Sequence, residues 1–518
     1  MEYALDNNIK NNLCDSIRST LSKYDQEHLL EFLKFIEDEN KKDIYIKQLK
    51  GIDYELIKNL YETKLSNGKS DKYNSEAKAK DTELYKDEDF SPIHSNFVKE
   101  NFNESEYEQL FQLGLNKIFE GKVALLILAG GQGSRLGLEK PKGMYNIKMP
   151  SNKSLFEYLC NRFLSVQILA KNKFQISKSK MEFRPSTLLI MTSAENHGDT
   201  LEFFHHNNYF NINPDDIIFF TQDTLPAIDL KGKIINKDVD QIFLAPNGNG
   251  GCFISLKRKN LIEKCLERGI EYINVISVDN PLTITLDPLF VGLAYSQGFQ
   301  MAAKTIKKIN PSESIGVFLN LKGKPTMMDY MDIPKHLTEL TDTDENLVYR
   351  GGNILNYLIG VKKLNEILLD DEKYKDLISE FHVGSKKIPG VVLNEEKSQH
   401  IHKNIEGVKF ELFFNSIFKF ADSNGLLLLE VNRNEFAPVK NDENSQNDNP
   451  RTARMLMTKT FLEWYKKSGG EINYLNETNE DLKLEISYLI SYNGENIRPG
   501  ENVPTSIDNK GSYYFQLQ

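Results

Sequence analysis

One stretch of the chain constrains its fold more than any other: residues 125–145, which read LLILAGGQGSRLGLEKPKGMY. An apolar run at 125–128, of the kind found in buried strands, leads directly into a loop with four glycines. Two cations, Arg135 and Lys142, lie in this loop and just after it. Glycines let backbone N–H groups approach an anion, and fixed cations offset its charge, so this pattern is typical of phosphate-binding loops in α/β proteins.

The glycine spacing matches neither of two common nucleotide-binding loops. The dinucleotide fingerprint requires G-x-G-x-x-G, whereas Gly131, Gly133 and Gly137 leave one residue too many before the last glycine. The P-loop requires a lysine where Leu138 stands. The spacing therefore disfavours an oxidoreductase of the Rossmann class and leaves a tight strand-to-helix connection as the alternative to a nucleotide site. The two cations favour the nucleotide site, because a simple turn does not require them.

Length and composition limit the class of protein. A chain of 518 residues predicts two or three domains, and a hydrophobic content of 40% is sufficient for a core. The net charge of −10 gives no reason to expect a nucleic-acid partner, so local cations must hold any phosphate. None of the four cysteines forms a C-x-x-C pair, which favours neither zinc nor a disulfide framework. Without a signal-peptide layout or an apolar run of about 20 residues, we expect a cytoplasmic protein with no membrane contact.

Strands and helices are predicted to alternate after a helical N-terminal region and a polar linker at 64–92. A short helical pair is expected at 104–120, followed by the strand that enters the glycine-rich loop. Because ligands bind at the carboxyl ends of parallel strands, we expect Gly130, Gln222 and Asp279 to mark one site. The predicted core strands are 123–128, 188–193, 216–222, 272–279, 301–308 and a hairpin at 314–330. The predicted core helices begin near 154 and span 200–206 and 254–268.

Two later segments carry further expectations. The sequence YRGGNILNYLIG (349–360) predicts a Gly-Gly-Asn turn that enters a helix, and 425–441 predicts a strand and a loop ending in Lys440. A helix at 451–467 and short strands after Gly470 suggest a small separate β unit at the end of the chain.

A family resemblance follows from the strings LAGGQGSRLG (128–137) and PKGMY (141–145). Together they resemble the nucleotide-binding loop of the UDP-N-acetylglucosamine pyrophosphorylases, the eukaryotic UTP:sugar-1-phosphate uridylyltransferases. Related UDP-glucose enzymes have a similar loop without the Gln-Gly-x-Arg pattern. The resemblance covers most of the chain, from QEHLLEF to EISYLISYNGE, and is weakest around 64–92 and in the last residues. It implies an α/β protein with three parts: a helical N-terminal region with a polar linker (1–115), a Rossmann-like mixed-sheet nucleotidyltransferase core (116–445) and a small β-rich C-terminal domain (446–518).

The resemblance also implies a reaction. The uridylyl group of UTP would pass to N-acetylglucosamine 1-phosphate, giving UDP-N-acetylglucosamine and pyrophosphate. Such a transfer needs positioned anions and charge neutralisation at an in-line transition state, without a covalent nucleophile. A divalent cation, Mg²⁺ with Mn²⁺ as an alternative, would be held by a carboxylate and by phosphate oxygens. The expected partners are these small-molecule substrates, with no nucleic acid or membrane, and the expected state is a monomer or weak homo-oligomer.

Individual residues take roles from the resemblance. Arg135 and Lys142 would act on the triphosphate, with Arg135 near the leaving pyrophosphate. Asp279, in the string VDN, would hold the metal beside the α-phosphate, and an amide such as that of Gln222 can read a uracil edge. The implied nucleotide contacts are Leu128, Ala129, Gly130, Gly131, Gln222, Gly248, Asn249, Asp279 and Lys409. The implied sugar contacts are Gly316, Asp329, Asn353, Phe413 and Lys440.

Three residues depart from the family pattern. Asn247 replaces the Asp of the string Pro-Asp-Gly-Asn-Gly-Gly, Asp329 stands where the family usually has Glu, and Asn415 replaces a second aromatic residue. The last two keep open a broader pyrophosphorylase for UDP-glucose, UDP-galactose or UDP-N-acetylgalactosamine. A non-catalytic nucleotide-sugar-binding protein is a further alternative, which the cations and Asp279 disfavour. The histidine pairs at 205–206 and 400–402 are expected at the surface.

Overall fold

The computed structural model describes residues 17–66, 85–94, 98–175, 182–422, 425–473, 482–508 and 511–516. The chain divides into two compact units. The smaller unit comprises Met1–Tyr85, Asp223–Ile254 and Glu372–Ser416, and the larger unit comprises Lys86–Gln222, Ser255–Asp371 and Ile417–Gln518. No helix in the described ranges has the length and apolar character that crossing a membrane requires.

Helices and strands are numbered in chain order. The α-helices are α1 (Glu39–Lys50), α2 (Tyr54–Tyr61), α3 (Glu104–Phe119), α4 (Leu155–Gln175), α5 (His197–His206), α6 (Gly251–Arg258), α7 (Leu261–Glu267), α8 (Pro288–Gln297), α9 (Lys335–Thr338), α10 (Val361–Leu369), α11 (Asp371–Ile378) and α12 (Pro450–Lys467). The strands are β1 (Phe90–Ser91), β2 (Val98–Lys99), β3 (Val123–Leu128), β4 (Leu188–Thr192), β5 (Ile217–Thr221), β6 (Thr224–Pro226), β7 (Ile228–Asp229), β8 (Asn236–Asp238), β9 (Gln241–Ile242), β10 (Leu244–Pro246), β11 (Tyr272–Ser277), β12 (Met301–Lys307), β13 (Val317–Leu321), β14 (Lys324–Met328), β15 (Gly351–Gly360), β16 (His382–Leu393), β17 (His400–Glu411), β18 (Leu427–Val431), β19 (Glu471–Asn473), β20 (Leu482–Ile486), β21 (Ser506–Asp508) and β22 (Gly511–Phe515).

A mixed sheet forms the centre of the larger unit, with the order β2-β18-β12-β15-β11-β3-β4-β5. Strands β11, β3, β4 and β5 are parallel, and β15 is antiparallel to both of its neighbours, β11 and β12. Every residue of β3 and β4 is buried. Continuous apolar strands of this kind belong to parallel sheets that are covered on both faces. The carboxyl ends of β3, β4, β5 and β11 therefore lie along one edge, which confirms the expected α/β architecture.

The C-terminal part of the larger unit has a hydrophobic cluster in common with segments of the core. Phe461, Trp464 and Tyr488 pack in one cluster with Leu282 and Val439. Leu282 lies in the turn that follows β11, and Val439 lies in the loop that leads to Lys440. The C-terminal residues are thus built into the unit that contains the central sheet, while the domain boundary expected at 446 stays a prediction.

The smaller unit combines N-terminal helices with a five-stranded sheet of order β7-β17-β16-β8-β9. The expected N-terminal helices are present as a 3-10 helix at Glu27–Phe35 followed by α1 and α2. The hydroxyl of the buried Tyr45, in α1, donates to the carbonyl of Leu29 (3.1 Å) and accepts from Nδ2 of Asn236 (2.9 Å). This hydroxyl joins the helices to the sheet of the same unit.

The prediction for residues 349–360 is wrong, because this segment is a central strand, β15. Its first half alternates between partly and fully buried residues, and its second half is buried throughout. Asn274 of β11 donates to Asn356 Oδ1 (2.8 Å) and to the Tyr357 carbonyl (2.9 Å), which fixes the two strands together. A strand covered on both faces gives an apolar run that sequence periodicity does not separate from a buried helix.

Smaller corrections concern the helices. The pair of helices expected at 104–120 is the single helix α3. The helix expected at 254–268 is two helices, α6 and α7, which are separated at Asn260 with a φ of 50°.

The expected hairpin turn at Lys322-Gly323 is confirmed, with φ of 52° and 76°, as a type I′ turn requires. Most of the expected linker, residues 67–84, lies outside the described residues.

Candidate functional site

The glycine-rich loop follows β3 and closes on itself through backbone hydrogen bonds. Gly133 N–H donates to the Lys140 carbonyl (3.1 Å), and Lys142 N–H donates to the Gly131 carbonyl (3.2 Å). A Cβ atom at Gly131 would meet no heavy atom within 4 Å. The backbone at this glycine therefore borders open space, as a loop that approaches a phosphate requires.

Asn196, fully buried, fixes the start of this loop. Its Oδ1 accepts from Ser193 N–H (2.8 Å), and its Nδ2 donates to the carbonyls of Ala129 (3.0 Å) and Gly131 (3.4 Å). Sequence reasoning missed this residue. The available signal was the polar string SAEN directly after a buried strand, since such strand ends build sites in parallel sheets.

Gln222 and Gly130, both predicted to contact the nucleotide, lie against each other. Gln222 follows β5, its N–H donates to the Thr192 carbonyl (2.7 Å), and its side chain is buried. A Cβ atom at Gly130 would lie 2.8 Å from the Gln222 amide carbon and nitrogen. Only glycine fits at position 130 without moving the amide, so the loop and the amide are adapted to each other.

Lys142 and Asp279 form an ion pair at the carboxyl ends of β3 and β11. Lys142 Nζ lies 3.1 Å from Asp279 Oδ2, and each side chain is 16% exposed. Burial raises the pKa of the Asp279 carboxyl, but the charges of Lys142 and Lys440 and a hydrogen bond from Ser277 outweigh it and hold this pKa below its usual value. Asp279 is therefore a carboxylate at neutral pH.

The loop that carries Lys440 is attached to the residues around Asp279. Val439 N–H donates to the Asp279 carbonyl (2.9 Å). Asn280 Nδ2 donates to the Glu435 carbonyl (2.7 Å), and its Oδ1 accepts from Ala437 N–H (2.9 Å). Sequence reasoning also missed Asn280, which no spacing pattern marks. These bonds bring the Lys440 loop to the same edge of the sheet as Asp279.

The two other cations of interest are more exposed. The ammonium of Lys440 lies 3.5 Å from Asp448 Oδ2, with both side chains more than a third exposed, and such surface pairs contribute little. Arg135 lies exposed in a single 3-10 turn, Ser134–Leu136. Within the described part of the chain, no carboxylate pairs with its guanidinium. Both cations are therefore accessible to an anionic ligand.

Three residues predicted to contact the sugar lie together in the larger unit. Asn353 N–H donates to the Gly316 carbonyl (2.8 Å), and a Cβ atom at Gly316 would lie 3.5 Å from Asp329 Cα. The Asn353 Oδ1 accepts from Leu355 N–H and from the Tyr357 hydroxyl, each at 3.0 Å. Asp329 is exposed, and its carboxylate accepts from Met331 N–H (3.0 Å).

The remaining predicted contacts belong to the smaller unit. Gly248 adopts a φ of 83° in the PNGNGG loop, and Asn249 Oδ1 accepts from Phe414 N–H (2.8 Å). The Phe413 ring packs against His382, with 4.8 Å between ring centroids. Lys409 Nζ lies 4.8 Å from the centroid of the Phe243 ring.

Asn247, the departure from the family pattern in this loop, is fully buried. Neither its Oδ1 nor its Nδ2 has a hydrogen-bond partner among the described residues. Leu412 N–H donates to its backbone carbonyl (2.8 Å), so the loop is held by the main chain of residue 247 and not by its side chain.

Metal binding in the larger unit would depend on Asp279. The described residues contain no group of three or more His, Cys, Asp or Glu side chains that could hold a metal ion. Mg²⁺ needs only one or two carboxylates when phosphates and water supply its other ligands. An ionised Asp279 beside the glycine-rich loop therefore fits Mg²⁺, and does not suit a metal that takes all its ligands from protein side chains.

Comparison with known proteins places these features in one family. A family model described as UTP–glucose-1-phosphate uridylyltransferase matches residues 70–482. The UDP-N-acetylglucosamine pyrophosphorylase of Saccharomyces cerevisiae is 35% identical over 398 residues, which are 76% of this chain and 79% of that protein. The UDP-N-acetylglucosamine diphosphorylase 2 of Arabidopsis thaliana is 36% identical over 416 residues, 78% of each chain.

A solved structure agrees with the sequence relatives. The crystal structure of the uridine diphosphate N-acetylglucosamine pyrophosphorylase from Trypanosoma brucei, in complex with an inhibitor, matches with a TM-score of 0.76 at 25% identity. The match covers 95% of this chain and 97% of that one. The chain therefore belongs to the UTP–glucose-1-phosphate uridylyltransferase family, among the UDP-N-acetylglucosamine pyrophosphorylases.

Proposed function

We propose that the chain transfers the uridylyl group of UTP to N-acetylglucosamine 1-phosphate and releases pyrophosphate. One observation carries the proposal: in a member of this family, Lys142 and Asp279 meet at the end of the glycine-rich loop, with Nζ and Oδ2 3.1 Å apart. In this proposal, the pair supplies a cation for the triphosphate and an ionised carboxylate for the metal ion. The pair, together with Arg135, disfavours a nucleotide-sugar-binding protein without catalysis.

The reaction requires charge neutralisation more than covalent chemistry. A phosphate oxygen of the sugar phosphate attacks the α-phosphorus of UTP, the new P–O bond forms, and the bond to pyrophosphate breaks. Lys142 and Arg135 offset the charge that develops on the phosphate oxygens, while Lys440 acts on the sugar phosphate. Asp279 would hold Mg²⁺ or Mn²⁺, and a bound divalent cation would supply further charge neutralisation at the α-phosphate.

Substrate recognition in the larger unit is assigned to groups around the same edge of the sheet. The amide of Gln222 reads the uracil, and the backbone of Leu128, Ala129, Gly130 and Gly131 holds the nucleotide. Gly316, Asp329 and Asn353 bind the sugar. In the smaller unit the proposed contacts are Gly248, Asn249, Lys409 and Phe413, each of which is open to test by its own variant.

A wider sugar specificity is the second candidate. Asp329 is shorter by one methylene than the glutamate that the family usually has, and its carboxylate already accepts a bond from its own loop. This observation favours tolerance of glucose, galactose or N-acetylgalactosamine 1-phosphate over strict selection by a long carboxylate. We further propose that the chain acts in the cytoplasm as a monomer or weak homo-oligomer. Its net charge of −10 supports small molecules, and not nucleic acid, as its partners.

The experiment measures pyrophosphate release from UTP and Mg²⁺ with each of four sugar 1-phosphates: N-acetylglucosamine, N-acetylgalactosamine, glucose and galactose. We expect release with N-acetylglucosamine 1-phosphate, and its loss when the metal is chelated. Release with glucose 1-phosphate at a similar rate would establish the wider specificity. Binding of UTP without release from any of the four would contradict catalysis.

A further inference from the structure

The turn that follows Asp279 is held by side chains from the C-terminal part of the chain. This turn, residues 279–287, connects β11 to α8, and we call it the Asp279 turn. The Tyr488 hydroxyl donates to the Pro281 carbonyl (3.0 Å), and the Tyr492 hydroxyl donates to the Thr285 carbonyl (2.7 Å). Each bond joins residues that are 207 positions apart. The two tyrosines belong to residues 487–493, the C-terminal segment.

Arg162, a buried residue of α4, bridges the same two elements. Its Nη1 donates to the Leu282 carbonyl in the Asp279 turn (2.8 Å). Its Nε donates to the Tyr492 carbonyl (3.1 Å), and its guanidinium carbon lies 4.5 Å from the centroid of the Tyr488 ring. The planar guanidinium offers several donors in a fixed geometry, so one residue can fix the turn and the C-terminal segment together.

Two hydrogen bonds hold the main chain at and just after Asp279. The carbonyl of Asp279 itself accepts from Val439 N–H (2.9 Å), and two residues later the Pro281 carbonyl accepts from Tyr488. A buried carbonyl that loses its donor is costly, so the turn has little freedom to rearrange while these hydroxyls are present. The carboxylate of Asp279 is consequently presented by a backbone whose position depends on Tyr488.

We propose that Tyr488, supported by Tyr492 and Arg162, is a positioning residue for Asp279. The C-terminal segment thereby contributes to the site. The inference deepens the proposed function and rests on it, since the metal-binding role of Asp279 belongs to that proposal. In this inference, the C-terminal segment holds the Asp279 carboxylate in the position that binds the metal. Nucleotide binding by the glycine-rich loop does not depend on the C-terminal segment.

The test compares Tyr488→Phe with a matched control, Tyr465→Phe. Tyr465 lies in α12, is also buried, and donates its hydroxyl to the Pro504 carbonyl (2.8 Å), which is outside the Asp279 turn. Each variant removes one buried hydroxyl of the same kind from the same cluster. Four quantities are measured: the Mn²⁺ affinity in the presence of UTP by electron paramagnetic resonance, the kcat and the KM for UTP with N-acetylglucosamine 1-phosphate, and the Tm.

For Tyr488→Phe we expect the Mn²⁺ dissociation constant to rise and kcat to fall, each by about threefold to tenfold, which corresponds to the loss of one hydrogen bond. The KM for UTP should change by less than about twofold, because the glycine-rich loop is untouched. Tyr465→Phe should lower the Tm about as much as Tyr488→Phe does, and it should leave the Mn²⁺ affinity and kcat unchanged. Equal effects of the two variants on Mn²⁺ affinity and kcat would overturn the proposal, because they would indicate a structural role only.

Three further measurements keep the result decisive. If Tyr488→Phe does not fold, Tyr492→Phe replaces it, with a smaller expected rise in the Mn²⁺ dissociation constant because Thr285 is farther along the turn from Asp279. The wild-type chain tests the proposed function separately, since it either releases pyrophosphate or does not, whereas the positioning role is judged by Mn²⁺ affinity. If Asp279→Asn leaves the Mn²⁺ affinity unchanged, the metal role of Asp279 and the positioning role of Tyr488 both fail.

Discussion

Lys142 Nζ lies 3.1 Å from Asp279 Oδ2, although 137 positions separate the two residues in sequence. The parallel pairing of β3 with β11 produces this contact, because Leu128 and Ser277 are register partners at the ends of these strands. Each residue follows its strand into the same edge of the sheet. Neighbouring parallel strands therefore bring a lysine and an aspartate together without any local sequence relationship between them.

Replacing Lys142 by methionine should lower kcat for pyrophosphate formation by about 100-fold to 1,000-fold, the loss typical of one charged or hydrogen-bonding transition-state contact. The variant keeps the aliphatic length and removes the charge, which also removes a cause of the lowered Asp279 pKa. Steady-state pyrophosphate release measures the effect. Lys140→Met, an exposed lysine of the same loop, should change kcat by less than about threefold. Similar losses in both variants would show that the charge of Lys142 has no special role.

Gly130→Ala should raise the dissociation constant for UTP by about tenfold, because its new Cβ atom would displace the Gln222 amide that lies 2.8 Å away. Binding of UTP by calorimetry measures the change directly. Gly198→Ala is the control, since a Cβ atom there meets no heavy atom within 4 Å and the residue lies inside α5. The control should bind UTP as the wild type does. An unchanged affinity in Gly130→Ala would remove Gln222 from the nucleotide site.

Asn196→Ala should lower the free energy of unfolding by about 1–3 kcal/mol, because the buried Ser193 N–H and the Ala129 carbonyl lose the hydrogen bonds that the Asn196 side chain gives them. It should also weaken UTP binding, since the Ala129 and Gly131 carbonyls lose their common donor. Denaturant unfolding and UTP titration measure the two effects. The control is Asn207→Ala, which removes an exposed side-chain hydrogen bond to the Phe203 carbonyl at the end of α5, the helix that begins directly after Asn196. It should change neither the free energy of unfolding nor the UTP affinity appreciably. Loss of stability without loss of UTP affinity would limit Asn196 to a structural role.

His28 predicts a pH dependence for stability. Burial lowers its pKa, its Nε2 lies 2.9 Å from the Ile234 carbonyl, and its buried Nδ1 has no partner among the described residues. Protonation would place a charged N–H where no acceptor meets it. At pH values between the lowered pKa and the ordinary value of about 6.5, the unfolded chain therefore binds more protons than the folded chain. The contribution of neutral His28 to the stability of the fold is therefore complete above about pH 6.5 and is lost as the pH falls towards the lowered pKa.

Thermal unfolding at several pH values checks this expectation. The Tm of the wild type should fall more than that of His28→Gln between about pH 7.5 and pH 5.5, because only the wild type must protonate a buried imidazole. His205→Gln, at an exposed position on α5, should keep the wild-type slope. An identical slope in His28→Gln and in the wild type would contradict the assignment.

The strand-and-loop pattern predicted the parallel part of the sheet and the edge where Gly130, Gln222 and Asp279 lie. These predictions succeeded because continuous apolar runs followed by polar residues have one common origin, the buried parallel strand. The loop spacing and cations indicated phosphate chemistry before any comparison did. Their individual roles in binding and catalysis stay predictions.

The missed features depend on partners that are distant in sequence. Residues 351–360 form a strand because β11 and β12 flank them on both sides, and nothing within the segment specifies those neighbours. Asn196 and Asn280 act through carbonyls of other segments, so their role has no local spacing to reveal it. The sequence likewise does not reveal the role of the tyrosines in the C-terminal segment, because an isolated tyrosine in a strand-rich tail resembles an ordinary core residue.

The long separation between the Asp279 turn and Tyr488 has a consequence for synthesis of the protein. A ribosome that adds about 5–20 residues per second needs roughly 10–40 seconds to make the 207 residues between Pro281 and Tyr488. During this interval β3, β4, β5 and β11 are already available to pair, while the carbonyls of the Asp279 turn still lack the hydroxyls that satisfy them. The nascent chain thus carries its glycine-rich loop well before the Tyr488 and Tyr492 hydroxyls can fix the Asp279 turn, and this turn is completed only after residues 487–493 have left the ribosome.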